Sequence, residues 1–296
     1  MSHSVVTVIV INWNLKEETL QCLHSLQQLT TPCQTIVVDN GSIDDSVKAF
    51  RQYIPQTEVI TLPSNMGFAI ACNRAIKHAL MQSSCDFVLL LNNDAIIHPR
   101  AIQELLEVAQ SHPSAGIFGP KVYTSEGTNK IWYAGARRRR MVLAAKGAGR
   151  GMIDRGQFSV LREVDYVFGA AMLIRSNVFK RIGLFDERFF LYLEDLDFCL
   201  RAQKAGFSLL FVPQAHVYHK GSASTANITG FRTYHTVRST ILFLKKHTSW
   251  HLSLPVLLFW TSVAMQAMLV DMLRGNLAAL RFYWMGLIRG LAEARK

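Results

Sequence analysis

The sequence has no C-x-x-C pair. Its five cysteines, Cys22, Cys33, Cys72, Cys85 and Cys199, are scattered and odd in number, which excludes a disulfide framework and a zinc site as organising devices. A reducing compartment is the expectation. Also missing are a Gly-rich loop ending in Gly-Lys-Ser/Thr and a Gly-x-Gly-x-x-Gly after the first apolar run, so ATPase and dinucleotide readings lose their main support. Acidic residues are few, 21 Asp and Glu against 32 Lys and Arg, and the resulting formal charge of +11 favours an anionic partner such as phosphate, lipid headgroup or nucleic acid. Met1-Ser2-His3-Ser4 runs straight into β-branched residues, without the basic start and small-residue cleavage site of a secretory signal. This part of the chain is therefore expected in the cytosol.

What is present is a core-forming pattern: half of the 296 residues are hydrophobic, enough to bury a full core. Val5-Val6-Thr7-Val8-Ile9-Val10-Ile11 is a buried-type strand ending in Asn12-Trp13-Asn14, and residues 16–28 follow with apolar side chains at helical spacing. The pattern recurs at 34–38 before Asp39-Asn40-Gly41-Ser42, at 58–62 before Pro63-Ser64-Asn65, and at 87–91 before Asn92-Asn93-Asp94. Four such strands alternating with helices predict a mostly parallel α/β sheet. Ligands of such sheets bind outside the carboxyl ends of the strands, where these four polar clusters would converge.

Residues 134–156, Gly-rich and carrying Arg137-Arg138-Arg139-Arg140, read as a long loop. Order returns at 164–175, a helix-like 176–182, an acidic segment within 191–206, and a last strand at 208–213 that leads into His216-Val217-Tyr218-His219-Lys220-Gly221-Ser222. Residues 247–270 lack Asp, Glu, Lys and Arg, long enough to cross about 30 Å of hydrocarbon, though Pro255 and Gln266 argue against it. From Leu277 onward, Leu280, Trp284, Leu287, Ile288 and Leu291 share one helical face with Arg274, Arg281 and Arg289 at or beyond its edge, as in a helix lying in a membrane interface.

Several clusters can carry chemistry, and each has a plainer reading. Asp39 can accept hydrogen bonds from a nucleobase or ribose, but an Asx-turn explains the same residues. Asn65-Met66-Gly67-Phe68, with Asn73-Arg74 on the next helix, offers unpaired N–H groups to phosphate or simply a helix cap. Asp94 at a crevice rim can bind Mg²⁺ or Mn²⁺ when substrate phosphates complete the shell. Glu194-Asp195-Leu196-Asp197 sits beside an apolar approach that can raise a carboxylate pKa, or is an acidic helix start. Asp197 and Arg201 are spaced to pair along a helix. His216 and His219 are both candidate metal ligands.

Taken together, Val10-Ile11-Asn12-Trp13-Asn14, Val37-Val38-Asp39-Asn40-Gly41-Ser42, Asn65-Met66-Gly67-Phe68, Asn92-Asn93-Asp94, Glu194-Asp195-Leu196-Asp197 and His219-Lys220-Gly221-Ser222 follow one family's order. The chain resembles family-2 glycosyltransferases of the GT-A fold, in particular their rhamnosyltransferase-like branch. The resemblance implies an α/β GT-A catalytic domain over 1–246, with a nucleotide-sugar half (1–120) and an acceptor and metal half (121–246). A membrane-associated helical tail would follow at 247–296. It implies an inverting transfer in which Asp195 is the base and Glu194 its neighbour, and Asp94 and His219 hold Mg²⁺ or Mn²⁺. Asn12, Asp39, Asn65, Gly67, Arg74, Asn93, Lys220 and Ser222 would bind the donor, and Asp165, Phe168, Gly169 and Ala170 would lie on the acceptor side. The donor would be a nucleotide-diphosphate-sugar, dTDP-linked rhamnose first and a UDP-sugar second. The acceptor would be lipid-linked or a glycan. The membrane surface is a further partner, at its cytoplasmic face and in a peripheral or monotopic mode; a homo-oligomer is compatible, and nucleic acid is not expected. Asn92-Asn93-Asp94 departs from the family's Asp-x-Asp. The alternatives are a sugar-phosphate nucleotidyltransferase and a non-enzymatic membrane scaffold.

Overall fold

A computed structural model describes residues 4–82, 85–124, 127–139, 144–221, 230–248 and 277–293, together with Ser262 and Gln266. Its centre is a ten-stranded mixed sheet with the path β10-β12-β6-β11-β4-β1-β2-β3. Strand β1 (Val6–Asn12) is β-branched on both faces and almost wholly buried, as befits a central strand. Its neighbours β2 (Gln34–Asp39) and β4 (Phe87–Asn92) run parallel to it, and β3 (Glu58–Thr61) extends the parallel half beyond β2. Each buried Val or Ile on these strands contributes about 1.5–3 kcal/mol of apolar burial. The parallel register fixes the ends: Asn12 lies opposite Asp39, and Ile11 opposite Asn92, so the polar termini of β1, β2 and β4 share one rim.

The other half is mixed. Strand β11 (Ala171–Arg175) is antiparallel to both β4 and β6 (Ala115–Tyr123), and β12 (Ser208–His219) runs parallel to β6. Strand β12 continues six residues beyond the predicted end at 213, because after a register shift at 212–216 it pairs again with β6 and takes β5 (Ala95–Ile97) on its other side. That last pairing sets His219 opposite Ala95, next to Asp94.

The segment read as a long loop contains a hairpin, β8 (Ala136–Arg139) with β9 (Ala144–Gly147). Its Gly- and Arg-rich sequence has no apolar alternation, so backbone pairing, which no side-chain pattern announces, makes it a ladder. Among the elements not yet named, α1 (Lys16–Gln27), α2 (Ser46–Tyr53), α3 (Phe68–Met81), α4 (Ala101–Ser111), α5 (Ser176–Ile182) and α6 (Glu194–Lys204) pack against the sheet, and α7 (Phe231–His247) is followed by α8 (Leu277–Glu293), which lies on α7. Strand β7 (Ile131–Tyr133) joins β6, and β10 (Arg162–Glu163) joins β12. Among the described residues no helix is long and apolar enough to cross a membrane. Most of the uncharged run 247–270 lies outside the described residues.

The C-terminal end of α7 is tied to α6 and to the loop before it. His247 Nε2 and Lys246 Nζ each stand 2.7 Å from Asp197 Oδ1 on α6, and Lys246 also reaches Asp186 Oδ2 at 2.7 Å.

Candidate active site

A cavity of about 310 Å³ opens at the shared rim of β1, β2 and β4. Three sets of side chains build it. On the β1–β2 side, Asn12 is wholly buried and its amide is engaged inside the protein. Nδ2 donates to Asp39 Oδ1 at 2.8 Å and to Ser42 Oγ at 3.0 Å, while Oδ1 accepts from Thr19 Oγ1 at 2.8 Å. Asp39 Oδ2 takes the Ser42 N–H at 3.1 Å. Neither Asn12 nor Asp39 lines the cavity; Asn40, Asn65, Gly67 and Asn93 do. Asn12 therefore holds the turn after β2 in place rather than facing the cavity as expected.

Asn40 ties that turn to the next one: its Nδ2 donates to Asn65 Oδ1 at 3.0 Å, and its Oδ1 accepts from Met66 N at 2.9 Å. Gly67 adopts φ +88°, and a Cβ there would stand 2.7 Å from Phe190 O. Only glycine combines that conformation with that approach. Phe68 N then donates to Phe190 O at 2.7 Å, stitching α3 to the loop before α6. Arg74 points away; it is exposed and lines no part of the cavity. Its neighbour Asn73, buried, holds Phe185 O and N at 2.9 and 3.0 Å.

The second set is Asp94 with His219. His219 Nε2 lies 3.0 Å from Asp94 Oδ1 and 3.1 Å from Asn92 Nδ2, and His219 Nδ1 is buried without a hydrogen-bond partner. Two cis ligands of an octahedral ion at about 2.1 Å stand about 3.0 Å apart, so this carboxylate and imidazole fit a divalent cation. Among the described residues no third His, Cys, Asp or Glu joins them, and the rest of a shell falls to other oxygen donors. His216 is placed elsewhere, with Nε2 3.1 Å from Pro213 O and its ring against Tyr123 and His98. Lys220 sends its ammonium to Gln21 Oε1 at 2.7 Å, away from the cavity, and Ser222 lies outside the described residues.

The third set is acidic. Tyr192 and Leu193 take consecutive left-handed conformations, φ +70° and +68°, immediately before α6 begins at Glu194. Such backbone is costly for residues with side chains and collects at functional sites. Asp195 Oδ2 accepts from Tyr166 Oη at 2.5 Å and from Gly169 N at 2.9 Å, and Oδ1 accepts from Leu196 N at 2.7 Å. Glu194 Oε2 is buried with no partner. Burial raises both carboxyls, Glu194 well above the usual range with Asp195 and Asp197 adding repulsion, whereas the donors around Asp195 oppose its rise. Of the two, Glu194 is pushed up further, and Asp195 is the one whose oxygens are held by donors suited to a carboxylate. Asp197 is different: it faces away from the cavity, and His247, Lys246 and Arg201 hold its carboxyl below the usual range against the effect of burial.

Phe168, Gly169 and Ala170 line the cavity as expected; Asp165 does not, and Tyr166 takes that place. An aromatic wall that no local sequence pattern announces also lines the cavity, built from Trp13, Trp132, Phe190 and Phe231. Trp13 stacks on Phe231 at 6.1 Å, Phe190 stacks on His235 at 4.5 Å, and Trp132 meets the His219 ring edge-on at 5.2 Å. Burial, with Arg238 beside it, pushes the His235 imidazole down to about 4, so it is neutral at physiological pH.

Known proteins share this architecture. Residues 7–183 match the model of the family described as glycosyl transferase family 2. The N-acetylglucosaminyl-diphospho-decaprenol L-rhamnosyltransferase of Mycobacterium tuberculosis is 28% identical over 269 residues, covering 83% of this chain and 86% of that one. The dTDP-rhamnosyl transferase RfbF of Shigella flexneri is 23% identical over 83% of this chain and 81% of its own length. Among solved structures, S. aureus TarS 1-349 in complex with UDP-GlcNAc superposes with a TM-score of 0.57 at 18% identity, over 85% of this chain and 71% of that one. GalNAc-T7 with UDP, GalNAc and Mn²⁺ gives 0.59 at 16% identity, over 80% and 47%. At these identities the two structures speak for the fold, which is the expected α/β GT-A type. The chain spans 39% of the longer TarS structure. With the family match covering more than half of its length and the strands that build the cavity rim, the chain belongs to glycosyl transferase family 2 and is homologous to rhamnosyltransferases.

Proposed function

We propose that the chain is an inverting, divalent-cation-dependent glycosyltransferase that moves L-rhamnose or a related hexose from a nucleotide-diphosphate-sugar to a lipid-linked or glycan acceptor. The observation that carries this reading is the pairing, in one cavity, of Asp195, held by the Tyr166 and Gly169 donors, with the Asp94–His219 pair. An acceptor hydroxyl oxygen attacks the anomeric carbon while the bond from that carbon to the diphosphate breaks on the opposite side, so one displacement inverts the configuration. Asp195 takes the hydroxyl proton as the new bond forms. Glu194, neutral, lies beside it as a hydrogen-bond donor for a sugar oxygen.

Asp94 and His219 would hold Mg²⁺ or Mn²⁺, which offsets the charge growing on the departing diphosphate. Asn40, Asn65, Gly67 and Asn93 line the donor side, and Tyr166, Phe168, Gly169 and Ala170 the acceptor side. A dTDP-linked donor is favoured by the relative named a dTDP-rhamnosyl transferase, and a lipid-diphosphate acceptor by the mycobacterial relative's name. A UDP-sugar is the second choice, supported by the nucleotides named with the two solved structures.

The test is transfer from dTDP-rhamnose and from UDP-sugars to a diphospholipid-linked GlcNAc, with the anomeric configuration of the product read by NMR. A product that retains the donor configuration overturns the inverting mechanism. Failure of every donor to release nucleoside diphosphate in the presence of Mn²⁺ and acceptor overturns the substrate assignment.

A further inference from the structure

Helix α8 meets the rest of the molecule through glycine. A Cβ at Gly286 would stand 2.6 Å from Tyr234 O, and one at Gly290 3.0 Å from Ile241 Cβ, so α7 and α8 touch nearly backbone to backbone. The Gly-x-x-x-Gly spacing puts both glycines on one face, a turn apart. Arg238 of α7 pairs with Glu293 at the end of the contact. At about 100° per residue, Trp284, Ile288 and Leu291 then fall on the side away from those glycines. They are 54%, 66% and 52% exposed. An amphipathic surface helix ordinarily turns its large apolar side chains toward the core. This helix turns glycine inward and its large apolar residues outward.

Charge identifies the occupant of that face. Helices α7 and α8 carry Arg232, Arg238, Lys245, Lys246, Arg281 and Arg289 against the single acid Glu293; Arg238 and Arg289 engage that acid, and Lys246 is taken by Asp186 and Asp197 of neighbouring elements. Arg281 is exposed and borders the apolar stripe. A second copy of the chain would set like charges against each other. An anionic bilayer accepts both features, since Trp and aliphatic side chains enter the acyl boundary while cations meet headgroup phosphates. We propose that α8 is a docking helix for an anionic lipid surface, with Trp284, Ile288 and Leu291 entering the interface.

The docking helix lies one helix from the cavity. Helix α7 supplies Phe231 to the aromatic wall, and it holds the loop before α6 through Arg238 Nη2 to Arg188 O at 2.9 Å and Ser239 Oγ to Leu191 O at 2.8 Å. A lipid-borne acceptor would then meet a site already fixed to its membrane. This consequence rests on the acceptor proposed above; the docking itself does not.

The test uses the full chain with vesicles of phosphatidylcholine alone and of phosphatidylcholine with phosphatidylglycerol. The chain is expected to sediment with the anionic vesicles and far less with the neutral ones. W284A/I288A should lower the partition coefficient by about tenfold or more, and Arg281→Glu by about tenfold on anionic vesicles only. Brominated acyl chains should quench wild-type tryptophan fluorescence, and Trp284→Phe should remove most of that quenching. The quenching pair decides the matter if W284A/I288A does not fold. Wild-type protein that stays in the supernatant overturns the proposal, whether light scattering then shows a dimer across this face or a monomer in which residues 249–276 cover it. Equal sedimentation of wild type and a folded W284A/I288A, judged by unchanged donor binding, overturns it as well.

Discussion

Tyr166 donates its hydroxyl hydrogen to Asp195 Oδ2 at 2.5 Å, on the same oxygen that receives the Gly169 N–H. Two donors on one oxygen favour the carboxylate form and oppose the upward push of burial on its pKa. Gly169 is tightly constrained, since a Cβ there would stand 2.9 Å from that oxygen. The segment leading into β11 and the first turn of α6 are thus one unit.

If Asp195 is the base, Asp195→Asn should lower kcat by at least about a hundredfold while donor affinity changes little. Tyr166→Phe should be milder and diagnostic. The base works ionised, so activity rises with pH through its pKa; removing a donor that lowers this pKa moves the acidic limb of the kcat profile to higher pH. An unmoved limb in Tyr166→Phe, or near-normal turnover in Asp195→Asn, would take the base away from Asp195.

Glu194 is the opposite case. Its folded-state pKa lies well above the unfolded value, through burial and the charges of Asp195 and Asp197. The contribution of the neutral acid to stability is complete below the unfolded pKa and is lost as pH rises through the folded one. Glu194→Gln keeps the neutral form at every pH, so its thermal stability should fall less between pH 5 and pH 9 than that of the wild type. Turnover should stay within about tenfold of normal, because a glutamine still donates a hydrogen bond. Collapse of kcat in this variant, with Asp195→Asn active, would exchange the two roles.

The parallel half of the fold and the polar rim where the candidate cavity opens were legible because β-branched runs ending in Asn and Asp announce buried strands with polar ends. Residues on helices were harder. Arg74 and Asn73 are adjacent, and a helix turns them to different sides, so only packing decides that Asn73 goes in and Arg74 out. Lys220 is claimed by Gln21 on α1, a tertiary contact with no local signature. That His219 rather than His216 lies beside Asp94 was recoverable. In a strand continuing through residue 219, His219 shares the buried face of Ala215 and Val217, and His216 does not. Trp13 and Phe231 come from opposite ends of the chain, and no periodicity brings them together.

The Asp94–His219 pair gives a prediction about metal. If these two ligands need the donor's phosphates to complete the shell, cation and nucleotide should bind cooperatively: Mn²⁺ should tighten nucleoside-diphosphate binding in calorimetry, and bind weakly alone. Asp94→Ala should abolish that coupling, and His219→Ala should weaken metal-dependent transfer by about 10–100-fold. Full transfer in the presence of a strong chelator would remove the cation from the mechanism.

Asp197 carries the prediction that separates stability from chemistry. Its carboxylate is wholly buried in the same helical turn as Glu194 and Asp195, yet it takes Arg201 Nε at 2.8 Å and Lys246 and His247 at 2.7 Å each. It thereby ties α6 to the C-terminal end of α7. Breaking a buried ion pair by removing one partner costs about 3–5 kcal/mol, because the remaining charges lose their counterion. Arg201 and Lys246 keep some solvent contact, which places Asp197→Ala near the lower end, about 3 kcal/mol. Since the folded pKa of Asp197 is depressed, its stabilising contribution is present above the unfolded pKa and disappears as pH falls through the folded one. Asp197→Ala should therefore be clearly less stable than the wild type at pH 7, with the gap narrowing in acid, as urea titrations at several pH values would report. Turnover of the folded fraction at low temperature should stay near normal. A loss of kcat with unchanged urea midpoint would instead make Asp197 part of the catalytic apparatus.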